Sequence, residues 1–184
     1  MWIFISKIIF WFTGWKVKGD YPRDIKKAVL IAAPHTSNWD FLFSRAGLFI
    51  MKAPVRFIIK QEWVKGPIGF LLKKLGAIPV DRNAKNKSLS FVDQVIDLYN
   101  QHDELIIMIA PEGTRKLVKK WRSGFYYMAM NAKIPILLGY LDYKNKLAGV
   151  GGVIYPSGDY ESDLEKIKSF YKTVTAKYPE QGIK

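Results

Sequence analysis

Ala28-Val29-Leu30-Ile31-Ala32-Ala33-Pro34-His35-Thr36-Ser37-Asn38-Trp39-Asp40, residues 28 to 40, runs from an apolar stretch into a polar corner, and Phe41-Leu42-Phe43 through Phe49-Ile50 then resumes the apolar pattern at helical spacing. A short continuous apolar run reads as a buried strand, and the longer periodic stretch as a helix. His35 therefore stands at a strand-to-helix corner. Thr36, Ser37 and Asn38 are all residues that cap helix starts, because their side-chain oxygens accept from the free N–H groups of the first turn. Two readings of Asp40 follow. Ser37 and Asp40 fit a capping box that closes the first helical turn. Alternatively Asp40 pairs with His35, which requires the histidine to stand outside the helix, since residues five apart on one helix point about 140° from each other.

The same alternation continues along the chain. Strands are predicted at 55 to 60, 76 to 82, 104 to 110 and 134 to 140, with a glycine-broken strand towards an edge at 147 to 154. Helices are predicted from Gly66 or Pro67 to Leu75, over 88 to 100, over 125 to 132 behind a Ser123 cap, and from Leu164 to Tyr178. The helix after Asp40 ends near Lys52, before Ala53-Pro54. Strands alternating with helices predict an α/β fold, one domain with a largely parallel sheet flanked by helices, whose ligands bind at the carboxyl ends of the strands. Three special sequences fall at such ends: His35 with Asp40, Asp81 with Arg82, and Glu112-Gly113-Thr114-Arg115. In a parallel sheet they open onto one edge.

The chain of 184 residues has no cysteine, which removes disulfides, thiolate nucleophiles and cysteine zinc sites, and its two histidines, His35 and His102, make a poor metal site. His102 reads as a solvated helix end. A net charge of +13 with 15% aromatic residues suits nucleic acid, an anionic membrane surface or acidic proteins. The N-terminus favours the membrane. Residues 1 to 15, MWIFISKIIFWFTGW, are almost wholly apolar, yet a helix of that length spans about 20 Å, short of the roughly 30 Å hydrocarbon core. Trp2, Trp11 and Trp15 beside Lys16 and Lys18 suit a segment lying at the headgroup boundary. Residues 1–18 are therefore expected to form an interfacial membrane segment and 19–184 the catalytic domain. The apolar ridge with lysines at 62 to 75 reads either as a second bilayer contact or as a core helix with snorkelling lysines. Basic residues are scattered rather than gathered into a nucleic-acid motif, so no nucleic acid partner is expected. No Gly-x-Ser-x-Gly elbow occurs, which removes the common lipid hydrolase architecture.

A base without a cysteine or serine nucleophile suggests direct attack by an acceptor hydroxyl, and Arg82 and Arg115 suit a phosphorylated or otherwise anionic acceptor. Four blocks in order resemble the glycerol-phosphate and lysophosphatidic acid (1-acylglycerol-3-phosphate) acyltransferase family. They are His-x4-Asp at His35 and Asp40, Gly76 to Asp81-Arg82, Pro111-Glu112-Gly113-Thr114-Arg115, and Ile134-Pro135-Ile136. Pro34, Pro79, Ala110 and Lys116 depart from that family's usual residues.

The resemblance implies a membrane-associated O-acyltransferase of phospholipid biosynthesis. His35 would be the general base and Asp40 its orienting carboxylate, with Arg82, Glu112, Gly113, Thr114 and Arg115 binding the acceptor. Backbone amides around Gly113 would be candidates for the oxyanion. The implied donor is acyl-CoA or acyl carrier protein, the acceptor a lysophospholipid, with no cofactor and no metal. The implied location is peripheral or monotopic, on the cytoplasmic face of the cell membrane. A lyso-amino-acid lipid or a glycolipid is an alternative acceptor. A non-catalytic basic protein binding membrane or nucleic acid is the alternative of another class.

Overall fold

The apolar run at 28 to 33 forms the strand β2 (Lys27–Ala32) in a computed structural model that describes residues 1–80 and 90–183. In chain order around it come α1 (Trp2–Thr13), β1 (Lys16–Lys18), β2, α2 (Trp39–Ile50), β3 (Val55–Lys60), a tight helical turn (Gln61–Val64), α3 (Gly66–Lys74) and β4 (Ala77–Val80). Beyond residue 90 follow α4 (Phe91–Gln101), β5 (Leu105–Ile109), α5 (Gly124–Asn131), β6 (Ile136–Asp142), β7 (Leu147–Ile154) and α6 (Tyr160–Tyr171). Among the described residues one seven-stranded sheet runs β1-β7-β6-β2-β5-β3-β4, parallel throughout except where β7 returns antiparallel to β6. The largely parallel α/β architecture read from the alternation is the one observed.

Continuous apolar composition marks β2, β5 and β6 because both faces of these strands are covered. Val29, Ile31, Ile107, Ile136 and Leu138 face one layer, packing with Val95 and Tyr99 of α4, Phe125 and Met128 of α5, and Ile167 and Tyr171 of α6. Ala28, Leu30, Ile106 and Leu137 face the opposite layer, against Leu48 and Met51 at the end of α2. On that side α1 lies on α2, with Phe10 and Trp15 joining Phe43, Ala46 and Ala148 in a buried cluster. A right-handed crossover between the adjacent parallel strands β3 and β4 puts α3 on this side too. Arg45 of α2 ties it there by donating to the Leu75 carbonyl at 2.6 Å.

Several elements differ from the sequence reading, each for a physical reason. Trp15 is only 6% exposed. It stacks on Phe43 and meets the Tyr143 ring edge-on, so it is a core residue rather than a headgroup anchor. Lys16–Lys18, read as part of the membrane segment, forms the edge strand β1 beside β7. The glycines of β7 do not break it. A Cβ at Gly149 would stand 2.2 Å from the Lys18 carbonyl, and one at Gly151 would stand 2.1 Å from the Phe170 ring, so the glycines admit β1 and α6 to close contact. The last helix stops at Tyr171 instead of Tyr178, where the β-branched run Thr173-Val174-Thr175 follows. Ser123 precedes α5 without a side-chain cap bond. Ser90, by contrast, forms a reciprocal capping box with Asp93 at the start of α4.

Candidate active site

The connections from β2 and β5 leave the sheet on opposite sides, β2 into α2 and β5 into α5, and β2 lies beside β5. Their divergence opens a crevice outside the carboxyl ends of the two strands, the switch point where ligands bind in doubly wound sheets. The His35 corner occupies one lip and the Glu112 loop the other.

The pairing reading of Asp40 holds, and of the capping box only the bond from the Ser37 amide to the Asp40 carboxylate forms: the N-cap is Asn38, and the Ser37 hydroxyl accepts from the Trp39 amide instead of that of Asp40. Helix α2 begins at Trp39, so His35 stands outside it. Asp40 Oδ2 accepts from the Thr36 and Ser37 amides, each at 2.8 Å, and from His35 Nδ1 at 3.2 Å. Asp40 Oδ1 accepts from the Tyr143 hydroxyl at 2.6 Å. Burial opposes the charge on this carboxyl, but the bonds from His35, Tyr143, Ser37 and Thr36 together outweigh it and hold the group below its ordinary value. Burial and the Asp40 carboxylate push the Tyr143 hydroxyl upward, so it remains a donor. With Nδ1 committed to the carboxylate, Nε2 is the ring nitrogen left for substrate. The His35 side chain is 28% exposed against 8% for Asp40, so the imidazole reaches the crevice while its partner stays inside.

Glu112 points inward. Its Oε1 accepts from the His35 amide at 3.0 Å, while Oε2 is buried with no hydrogen-bond partner among the described residues. Burial raises its carboxyl above the ordinary value. Gly113 adopts φ +65° with the Arg122 guanidinium packed where a Cβ would lie, 2.6 Å from Nε, so the position suits glycine on both counts. The Gly113 amide is committed to the Ala110 carbonyl at 3.1 Å. Thr114 is exposed and its Oγ1 accepts from the Lys116 amide. Arg115 is exposed and donates through Nη1 to the Asn38 side chain, bridging the two lips. Arg82 and Asp81 lie outside the described residues.

The structure thus brings together His35, Asp40, Glu112 and Arg115 and adds two residues that the sequence reading missed. Tyr143 follows β6, far from the corner in sequence, and Arg122 follows the Glu112 loop without belonging to a recognisable block. Only their places in the fold reveal them. Under the corner lies a cavity of about 400 Å³, between α2 and the sheet. His35 and Asp40 line it with Leu30, Met51, Phe57 and Met108, and Trp63 and Leu72 carry the lining out to the turn and α3. Its volume lies within the roughly 300–1,000 Å³ of small-molecule sites.

The model of the acyltransferase family matches residues 15–137, two thirds of the chain and every block from His35 to Pro135. The chain belongs to the acyltransferase family. It is an acyltransferase with the fold expected from its sequence blocks. Among solved structures it is similar to the 1-acyl-sn-glycerophosphate (LPA) acyltransferase PlsC from Thermotoga maritima, with a TM-score of 0.66 and 19% identity over 94% of this chain and 76% of that one. No curated protein matches the chain. At that identity the structural likeness carries the fold, and the acyltransferase assignment rests on the family match.

Proposed function

We propose that this acyltransferase moves a fatty acyl group from a thioester to the free hydroxyl of a lysophospholipid, converting 1-acylglycerol-3-phosphate to phosphatidic acid. The observation that carries this reading is the His35–Asp40 pair set in the wall of an apolar cavity, beside the exposed guanidinium of Arg115. The structurally similar protein from Thermotoga maritima is a 1-acyl-sn-glycerophosphate acyltransferase, which supports the same acceptor here.

In this mechanism His35 Nε2 takes the proton of the acceptor hydroxyl as its oxygen attacks the thioester carbonyl carbon. Asp40 holds the Nδ1 hydrogen and stabilises the imidazolium that forms, as the carboxylate of a catalytic triad does. The tetrahedral oxyanion collapses as the carbon–sulfur bond breaks, and the leaving thiolate takes the proton back from His35. Arg115, with Arg82 and Arg122, binds the acceptor phosphate. Glu112 fixes the His35 backbone with one oxygen and so holds the base in place. The Gly113 amide is already occupied, so the oxyanion is met by another donor of the loop. The acyl chain lies in the cavity.

The donor is acyl-CoA or acyl carrier protein, and no cofactor is required. The exposed side of α1 holds the protein peripherally on the cytoplasmic membrane face. Among the described residues no helix is long and apolar enough to cross a bilayer.

Incubating the protein with a panel of lysolipids and both classes of donor, and reading products by mass spectrometry, tests this assignment. Acylation of 1-acylglycerol-3-phosphate is expected, falling to background in His35→Ala with the melting temperature preserved. Turnover near wild type in that variant would remove His35 as the base.

A further inference from the structure

Residues 60 to 74 lie beside the cavity, which Trp63 and Leu72 help to line. In the tight turn and α3, Trp63 is 64% exposed, Ile68 69% and Phe70 63%, and Gly69 is the one buried residue of the helix. That glycine explains how so short a unit holds its shape. A Cβ there would stand 2.1 Å from the Val64 carbonyl group, so the turn and the helix are pressed together at Gly69 into one wedge. Of the remaining side chains Val64 and Leu72 are half-buried, Leu72 against the cavity, and the others are exposed. Lys60, Lys65, Lys73 and Lys74 are exposed and flank these apolar residues along the chain, with Glu62 as the only acid in the segment. Lys74 Nζ lies 4.4 Å from the centre of the Phe70 ring, its stem drawn along the aromatic surface.

We propose that this wedge is a second membrane-insertion element, separate from α1, which docks into an anionic bilayer and sets the cavity against the hydrocarbon. Three observations favour a lipid surface over an acidic protein. The tip consists of large aliphatic and aromatic groups, which lose contact with water only in an apolar medium. Exposed lysines flank it on both sides in the chain, and Lys74 lies against Phe70 itself, the composition with which an interfacial helix buries its apolar side while its cations meet lipid phosphates. Finally, Trp63 and Leu72 line the same cavity as His35 and Asp40, and Trp63 is also at the surface. The cavity therefore reaches the exterior at the wedge, and an acyl chain can pass from the bilayer to the imidazole without crossing water. The use made of the opening rests on the acyl-transfer reading; the docking itself does not.

The chain contains no cysteine, so single labels report one position each. Phe70→Cys and, in a second preparation, Phe4→Cys in α1 are coupled to an environment-sensitive fluorophore and mixed with vesicles of phosphatidylglycerol and phosphatidylcholine, with and without quenchers on the acyl chains. The label at 70 is expected to shift to the blue and to be quenched from within the hydrocarbon. A label at 70 that stays in water, whether or not the label at 4 inserts, overturns the proposal. A shift produced by an acidic carrier protein without vesicles, and absent with vesicles, also overturns it in favour of a protein partner.

The double variant Ile68→Ser/Phe70→Ser should bind these vesicles about tenfold more weakly with an unchanged melting temperature, since both side chains stand in solvent. Its turnover of a water-soluble short-chain donor and acceptor should equal that of wild type. Unchanged vesicle affinity in this variant counts against the wedge. Absence of acyl transfer in wild type would count against the catalytic reading and leave the fluorescence result standing.

Discussion

At the scale of single residues, one carboxylate organises the corner. Asp40 closes the helix start and orients His35, and Tyr143 supplies the bond that holds its other oxygen. A hydrogen bond to a charged group contributes about 1.5–3 kcal/mol. Tyr143→Phe should therefore lower kcat roughly tenfold, the equivalent of ~1.4 kcal/mol, while the KM for donor changes little; steady-state kinetics at fixed pH measure it, and an unchanged kcat would reduce Tyr143 to packing. Glu112 behaves in the opposite sense. The unfolded chain loses this proton near the ordinary value of 4.5, whereas burial keeps it bound to higher pH in the folded state. Its contribution to stability is thus complete below about 4.5 and is lost as pH rises through the folded value. Glu112→Gln should raise the melting temperature at neutral pH, with the advantage shrinking in acid, as thermal unfolding across that range would record. The His35–Asp40 pair was legible in the sequence because its residues are five apart and share one turn. Tyr143, 103 positions from Asp40, was not, because no local pattern encodes a contact made by the sheet.

At the scale of elements, α3 depends on α2 for its attachment. The Arg45 side chain is buried with no carboxylate partner among the described residues, and its charge is stabilised by the Val55 carbonyl at 2.8 Å, the Leu75 carbonyl at 2.6 Å and the Phe49 ring. Burial, with Arg56 nearby, pulls its guanidinium down to about 10, still far above neutrality. Arg45→Met would leave two carbonyls without their donor and should cost about 2–4 kcal/mol, lowering the melting temperature by on the order of 10 °C. Hydrogen exchange should accelerate first in residues 66–75, and uniform acceleration along the chain would contradict a local tether. The long elements were readable from period and composition, as α2, β3 and β5 illustrate. Two elements escaped that reading for different reasons. The edge strand β1 is three residues of alternating lysine and valine that become a strand only by pairing with β7, a tertiary contact that no local pattern encodes. Helix α6 ends early although Val174 and Tyr178 keep its period, because the β-branched run Thr173-Val174-Thr175 follows it.

At the scale of the whole molecule, alternation of strands and helices announced the parallel sheet, and the sheet brought the blocks after β2 and β5 to one edge, where the His35 amide meets Glu112. Composition supplied the rest, since a net charge of +13 accompanies exposed apolar residues on α1, α2 and α3. These two features make separable contributions to binding at a lipid surface. The electrostatic part, about 1 kcal/mol for each basic residue near the surface, is screened as the Debye length contracts from about 10 Å at 0.1 M to about 3 Å at 1 M salt. The apolar part is nearly insensitive to salt. Affinity for vesicles rich in phosphatidylglycerol should therefore fall steeply with ionic strength, whereas the weaker affinity for phosphatidylcholine alone should hardly change. Deleting residues 1–15 would not test α1 cleanly, because it removes the buried Trp15 with the anchor. Substituting exposed Phe4 and Trp11 by serine spares that cluster, and should lower affinity by a similar factor at low and high salt in co-sedimentation. Equal binding to charged and uncharged vesicles would refute the electrostatic contribution, and wild-type binding by the serine variant would refute the anchor.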